Sequence, residues 1–171
     1  LIELIKQYAG QEIGTHTFSH YYCLETGQTQ AQFKADLHTA IATAEKANLS
    51  TTSLVFPRNQ YNQAYLAAII DCGINCYRGN ETSSIYHDEG GDGDRPRKRI
   101  LRLLDAYVNL TGQNCQSWSD LRSTYPINIP ASRFLRPYSA KLKYLDGLRL
   151  HRITSGLKYA ANHGLVYHLW W

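Results

Sequence analysis

Two histidines, His16 and His20, lie four residues apart in the segment EIGTHTFSH, residues 12–20. If the chain turns into a helix there, both imidazoles share one face and can reach one metal ion. Imidazole suits zinc, and a catalytic zinc ion usually has three protein ligands and one water molecule. Thr17 follows His16, which argues against the HExxH motif of metalloproteases, where a glutamate at that position is the general base. Spacing alone leaves open whether the pair binds a metal.

A second candidate segment, FPRNQY at residues 56–61, begins where a predicted strand ends. Arg58 could orient a catalytic carboxylate, and a tight turn before Tyr61 could direct backbone N–H groups at a developing oxyanion. An arginine on a surface turn that begins with Pro57 is the alternative interpretation.

A third candidate is His168, which lies in the apolar segment at the end of the chain, LVYHLWW. A histidine within such a strand is often a hydrogen-bonded core residue. Near the carboxyl end of a strand it can also transfer a proton, so the sequence leaves both roles open.

The elements that would position these residues alternate between helix and strand. The predicted helices cover residues 1–8, 28–48, 65–72, 98–110 and 142–162, and the predicted strands cover 12–15, 53–56, 74–77 and 165–171. This order predicts an α/β fold with a parallel sheet, open or closed as a barrel. In such folds functional residues follow the carboxyl ends of strands, as His16, His20 and Arg58 do here.

Composition limits the classes of protein that the chain can belong to. Its 171 residues suit one domain, its net charge is +4, and its basic residues cluster only at 95–99, after an acidic glycine-rich run. That block predicts a mobile loop at 79–97 and argues against a nucleic-acid-binding face. No apolar run is long enough for a membrane span. The four cysteines lack the spacing of a zinc ribbon or a disulfide framework, and we expect buried free thiols.

The order of the three candidate segments resembles that of the polysaccharide deacetylase family, also described as the NodB-homology domain or carbohydrate esterase family four. Residues 12–20 are similar to its H-[ST]-x-x-H motif with the preceding strand, and residues 58–61 match its R-x-x-[YF] motif. His168 stands where the family has a histidine at the end of a late strand. The resemblance implies a single incomplete catalytic domain over residues 1–171, a partial, distorted (β/α) barrel that lacks its first strand or strands.

The resemblance also implies an activity, the removal of N- or O-acetyl groups from an acetylated polysaccharide or oligosaccharide. In that family the two histidines bind a divalent metal, usually zinc, so His16 and His20 would be ligands here. Arg58 would hold the general base, the backbone N–H of Tyr61 would bind the oxyanion, and His168 would be the general acid.

The chain departs from the family pattern at its beginning. The family has a Thr-Phe-Asp-Asp segment before the histidines, which supplies the third ligand and the general base, and this chain has none. The chain starts at Leu1 and contains no methionine, so we expect a fragment that is inactive alone. Two alternatives stay open, a non-catalytic glycan-binding module on the same fold and a metalloenzyme of different chemistry. The compartment also stays open, with the cytoplasm slightly favoured.

Overall fold

The computed structural model describes residues 1–81, 83–86 and 96–171. The chain divides into two compact units, an N-terminal unit, Leu1–Tyr77, and a C-terminal unit, Arg78–Trp171. That both belong to one incomplete domain stays a prediction. Most of the predicted mobile loop at 79–97 lies outside the described residues.

The N-terminal unit confirms most of the predicted alternation. In chain order its elements are α1 (Ile2–Lys6), α2 (Gln30–Lys46), β1 (Ser53–Val55), α3 (Leu66–Asp71) and β2 (Cys76–Arg78), the last of which crosses the boundary between the units. Strands β1 and β2 are neighbours in one small sheet. The strand predicted at 12–15 is reduced to a single parallel bridge between Thr15 and Leu54.

Helix α2 begins where its sequence carries a capping box. The Thr29 hydroxyl accepts a hydrogen bond from the Gln32 backbone N–H at 3.2 Å, and the Gln32 side chain accepts one from the Thr29 N–H at 3.1 Å. Two N–H groups that the first turn leaves without helical partners are thereby satisfied. Phe33 and Leu37 are fully buried, one helical turn apart, and so fix the face of α2 that meets the core.

One apolar cluster holds the N-terminal unit together. The Phe33 ring stacks on Phe56 at 5.9 Å between ring centroids and lies 5.1 Å from Tyr65. Burial of such rings is the largest favourable contribution to folding for a unit of this size. The buried members are Tyr21, Cys23, Phe33, Leu37, Leu54, Phe56, Tyr65, Ala68, Ile69, Ile74 and Tyr77.

The C-terminal unit contains shorter helices and shorter strands than predicted. Its elements are α4 (Pro96–Asp105), α5 (Trp118–Leu121), β3 (Ile127–Asn128), β4 (Arg133–Phe134), α6 (Asp146–His163) and β5 (Leu169–Trp170). Strands β4 and β5 are parallel, with Arg133 opposite Leu169. The helix predicted at 98–110 ends earlier, at Asp105, and the strand predicted at 165–171 shrinks to β5. Helix α6 ends at His163 and is followed by Gly164, whose φ of 63° suits glycine.

The described residues form small sheets and no closed barrel, and the partial barrel stays a prediction. No helix within the described ranges is long and apolar enough to cross a membrane.

Candidate metal centre

His16 is presented by the parallel bridge beside β1. The Thr15 N–H donates to the Ser53 carbonyl and the Val55 N–H donates to the Thr15 carbonyl, both at 2.9 Å. Gly14 permits this approach, because a Cβ there would lie 2.5 Å from Ser53 Oγ. His16 Nδ1 then lies 2.8 Å from the Val55 carbonyl oxygen. A carbonyl only accepts, so Nδ1 carries the hydrogen, and in the neutral ring Nε2 then carries the lone pair that a metal needs.

The two histidine side chains meet, although not in the way that their spacing suggested. The ring centroids of His16 and His20 are 4.7 Å apart and the rings are tilted by 60°. Residues 16–20, here named the histidine loop, form no helix. The helical i, i+4 geometry considered for the pair is therefore wrong, and the loop brings the rings together by another route.

That route uses left-handed backbone conformations. Thr17 has a φ of 64° and His20 a φ of 59°, and in the second candidate segment Arg58 and Asn59 have φ values of 51° and 56°. The structure describes six non-glycine residues with positive φ, and four of them lie in these two segments. A β-branched residue such as threonine rarely adopts this conformation, and strained backbone of this kind concentrates at functional sites. The two segments are therefore constrained beyond what local sequence prefers.

Asp36 on α2 holds the histidine loop in this conformation. Its carboxylate accepts hydrogen bonds from the Phe18 N–H at 2.7 Å, from the Ser19 N–H at 2.9 Å and from the Ser19 hydroxyl. Within the loop, Thr17 Oγ1 accepts from the Tyr21 N–H at 2.8 Å. Charge-assisted hydrogen bonds of this kind are the stronger ones, which explains how the strained loop is maintained.

We expect Asp36→Ala to release the loop while α2 remains folded. Each lost hydrogen bond to the carboxylate is worth about 1.5–3 kcal/mol. Amide hydrogen exchange at Phe18 and Ser19 should therefore accelerate by about tenfold or more, as measured by NMR. Glu45→Ala, an exposed change on the same helix, is the control and should leave both rates unchanged. Equal exchange rates in Asp36→Ala and the unmodified protein would contradict the anchoring role.

Arg58 contacts an aromatic ring. Its guanidinium lies 4.4 Å from the centroid of the Tyr22 ring, within the usual range of a cation–π contact. The hydroxyl of Tyr22 lies 3.0 Å from His20 Nδ1, and the two rings meet edge to face at 5.1 Å. Arg58 is thus connected to the histidine pair through Tyr22. Sequence reasoning missed both Asp36 and Tyr22; the only available signal for Tyr22 was an aromatic residue two positions after His20.

Tyr61, the predicted oxyanion donor, uses its backbone N–H within its own turn. That N–H donates to the Asn59 carbonyl at 2.9 Å, so an oxyanion would have to compete for it. The Tyr61 ring stacks on Tyr77 at 5.3 Å, and its hydroxyl donates to Gln63.

His168 lies in the C-terminal unit, half-buried. Its Nδ1 is 3.1 Å from the Ile129 carbonyl oxygen, and its backbone N–H donates to Ser132 Oγ at 3.0 Å. Burial lowers the pKa of His168, and nearby Arg78 lowers it further against the opposing effect of the Ile129 hydrogen bond. His168 is therefore neutral near pH 7, with Nδ1 protonated.

A groove of about 430 Å³ lies beside the histidine loop. Its lining is polar and aromatic, a combination that suits a hydroxyl-rich ligand. The lining residues are Ser19, His20, Tyr21, Tyr22, Gln28, Gln32 and Asp36.

The pair fits a metal ion as part of a ligand set. Two imidazoles on one tetrahedral zinc ion, with Zn–N bonds of about 2.0–2.1 Å, have ring centroids roughly 5 Å apart, close to the 4.7 Å between His16 and His20. Across the described ranges, however, no group of three or more His, Cys, Asp or Glu residues could hold a metal ion. Cys23 is the one buried cysteine, and burial raises the pKa of its thiol to about 12, which favours the neutral thiol over the thiolate. All four cysteines are free, as expected, but the other three are only half-buried.

Comparison of the chain with protein-family models, with curated proteins and with solved structures finds no significant match in any of the three.

Proposed function

We propose that this chain is part of a metal-dependent hydrolase that removes acetyl groups from an acetylated polysaccharide or oligosaccharide, with His16 and His20 as two of its metal ligands. The observation that carries the proposal is the imidazole pair, 4.7 Å apart, with the His16 ring held by the Val55 carbonyl. A carbonyl that accepts from the outer nitrogen is the usual partner of a ligating histidine. The order of the motifs favours acetyl transfer to water over other metal chemistry.

Each side chain would then have a defined task. A divalent metal, zinc by preference, would polarise the acetyl carbonyl and lower the pKa of a bound water molecule. His16 and His20 would hold it, and the groove beside His20 would take a sugar ring. The Tyr61 N–H would bind the oxyanion only after its hydrogen bond to the Asn59 carbonyl has broken. His168, neutral near pH 7, would have to gain a proton before it could act as the general acid.

Zinc binding tests the ligand assignment directly. We expect calorimetry to show one zinc ion bound per chain, and His16→Ala and His20→Ala each to abolish measurable binding. His151→Ala removes an exposed histidine of α6 and should leave the affinity unchanged. Affinity that survives both alanine substitutions in the histidine loop would refute the metal site.

Activity needs a separate measurement, because this sequence lacks the Thr-Phe-Asp-Asp segment that supplies the third ligand and the general base in the family it resembles. We expect the 171-residue chain with zinc to release little or no acetate. The product of the complete gene, loaded with zinc, should release acetate from at least one of a panel of acetylated glycans. Failure on the whole panel would contradict the hydrolase.

The glycan-binding module remains the second candidate. It is favoured by the lack of a three-residue ligand group within the described ranges and by the tyrosines and glutamines along the groove. Glycan binding that persists unchanged after chelation of all metal, without acetate release by the complete gene product, would favour it over the hydrolase.

A further inference from the structure

Tyr22 links the histidine pair to Arg58 through two different contacts. Its hydroxyl is 3.0 Å from His20 Nδ1, and the Arg58 guanidinium lies 4.4 Å from the centroid of its ring. Tyr22 is half-buried, whereas Arg58 and His20 are exposed. The tyrosine is therefore the best-packed member of this three-residue chain and is suited to orient the other two.

We propose that Tyr22 is a positioning residue that fixes His20 in the tautomer with Nδ1 protonated, so that Nε2 would carry the lone pair for a metal ion. This inference rests on the proposed metal site for its consequence, although the tautomer itself can be observed without metal. In this proposal the phenol oxygen accepts a hydrogen bond from Nδ1–H across the 3.0 Å contact, the role that the Val55 carbonyl has for His16. Both imidazoles then present the same nitrogen, Nε2, with its lone pair available for coordination.

His20 needs such a partner more than His16 does. Val55 O is a pure acceptor and leaves His16 only one tautomer. A neutral histidine without a fixed acceptor prefers to protonate Nε2, which would block coordination through that atom. His20 also has a left-handed backbone, with a φ of 59°, so its ring has no regular element to orient it. The Tyr22 hydroxyl is the group that supplies both orientation and tautomer.

Arg58 acts on the site through Tyr22. Its backbone is left-handed, with a φ of 51°, its guanidinium lies over the ring, and this cation–π contact restricts the ring. The family resemblance implies that Arg58 orients a carboxylate, and its contact with Tyr22 would let it orient a phenol as well. Arg58 then affects metal affinity without being a ligand.

The test is the His20 tautomer, read from long-range ¹H–¹⁵N NMR of the metal-free chain about two pH units above the usual histidine pKa of about 6.5. In the unmodified chain we expect Nδ1 of His20 to be protonated. Tyr22→Phe keeps the ring and the Arg58 contact, and should shift His20 toward protonated Nε2. Zinc affinity should fall by about 10–100-fold, the usual effect of removing an outer hydrogen bond from a ligating histidine.

Two further variants separate this role from a structural one. Arg58→Ala should shift the tautomer of His20 in the same direction, but by less. Tyr144 is an exposed tyrosine in an equivalent cation–π contact with Lys143. Tyr144→Phe should therefore change neither the tautomer of His20 nor the zinc affinity. An unprotonated Nδ1 in the unmodified chain, or an unchanged tautomer in Tyr22→Phe, would overturn the proposal. A shifted tautomer in a chain that binds no zinc would leave the positioning role intact and refute the proposed metal site instead. If Tyr22→Phe gave a poorly folded spectrum, a tautomer unchanged in Arg58→Ala would count against the link.

Discussion

Asp105→Ala should destabilise the C-terminal unit by about 3–5 kcal/mol, the usual cost of removing one partner of a buried ion pair. Asp105 is fully buried and pairs with Arg133, which is 2% exposed. The substitution would leave a buried guanidinium without its counter-ion. An ordinary domain of this size has roughly 5–15 kcal/mol of stability in total, so the substitution should remove a large fraction of it.

Asp105 also satisfies donors from three other residues. Its carboxylate accepts from the Leu110 and Thr111 N–H groups at 3.0 Å and from the Thr111 and Tyr86 hydroxyls at 2.9 Å. Burial by itself would raise the pKa of Asp105, but Arg133 and these hydrogen bonds outweigh it and lower that pKa. The stabilisation is therefore present above the ordinary pKa of an aspartate and is lost as the pH falls through the depressed value.

Urea unfolding at pH 6 measures the effect. Asp120→Ala changes an exposed aspartate of the same unit and should shift the free energy of unfolding by no more than about 0.5 kcal/mol. Asp105→Asn, which keeps the shape and loses the charge, should lie between the two. A loss below about 1 kcal/mol for Asp105→Ala would show that the buried network contributes little to stability.

Glu81→Gln should instead stabilise the C-terminal unit, and only toward alkaline pH. Glu81 is 4% exposed, and neither carboxylate oxygen has a hydrogen-bond partner within the part of the chain that the structure describes. Burial raises the pKa of Glu81 to about 8, with Asp105 adding to the effect and Arg133 and Arg152 opposing it. The carboxyl is thus neutral in the folded protein over a range in which it is ionised when unfolded.

The raised pKa of Glu81 sets the sign of the pH dependence. Between the ordinary glutamate pKa of about 4.3 and the folded value, the folded state holds a proton that the unfolded state has lost, so stability falls as the pH rises. A tenfold difference in proton affinity between the two states corresponds to about 1.4 kcal/mol, and we expect Glu81→Gln to gain about 2–4 kcal/mol at pH 8 relative to pH 5. Glutamine is neutral in both the folded and the unfolded state, so the variant avoids the free-energy cost of protonating Glu81 on folding.

The measurement is the difference in unfolding free energy between the variant and the unmodified chain, followed from pH 5 to pH 8. Taking the difference removes the contribution of His168, whose lowered pKa makes stability rise with pH in part of the same range. Asp120→Asn, with an exposed carboxyl, should give a flat difference. A flat difference for Glu81→Gln as well would mean that Glu81 is ionised in the folded protein, with its charge compensated by Arg133 and Arg152.

Local sequence was a good guide to the N-terminal unit. The helix predicted at 28–48 agrees with α2 to within two residues at each end, because its apolar face and the capping box found at Thr29 both act within one or two helical turns. It was a poorer guide to the C-terminal unit. The predicted final strand is mostly apolar, yet only β5 forms, since a strand forms only where a partner backbone is available.

Residue type and spacing alone were enough to single out His16, His20 and Arg58, because imidazole and guanidinium chemistry is a property of the side chain. How these groups are arranged depended on contacts between distant parts of the chain. Asp36 binds the histidine loop from 17 and 18 residues away, Val55 sets the His16 tautomer from 39 residues away, and Arg58 reaches His20 through Tyr22. A left-handed Thr17 or His20 is unfavourable locally and persists only because such contacts outweigh the strain. The sequence therefore determined which kinds of chemistry this protein can carry out. Tertiary packing determined the hydrogen-bond partner of each histidine nitrogen. Such partners are distant in the sequence, so no local or periodic pattern of residues predicts them.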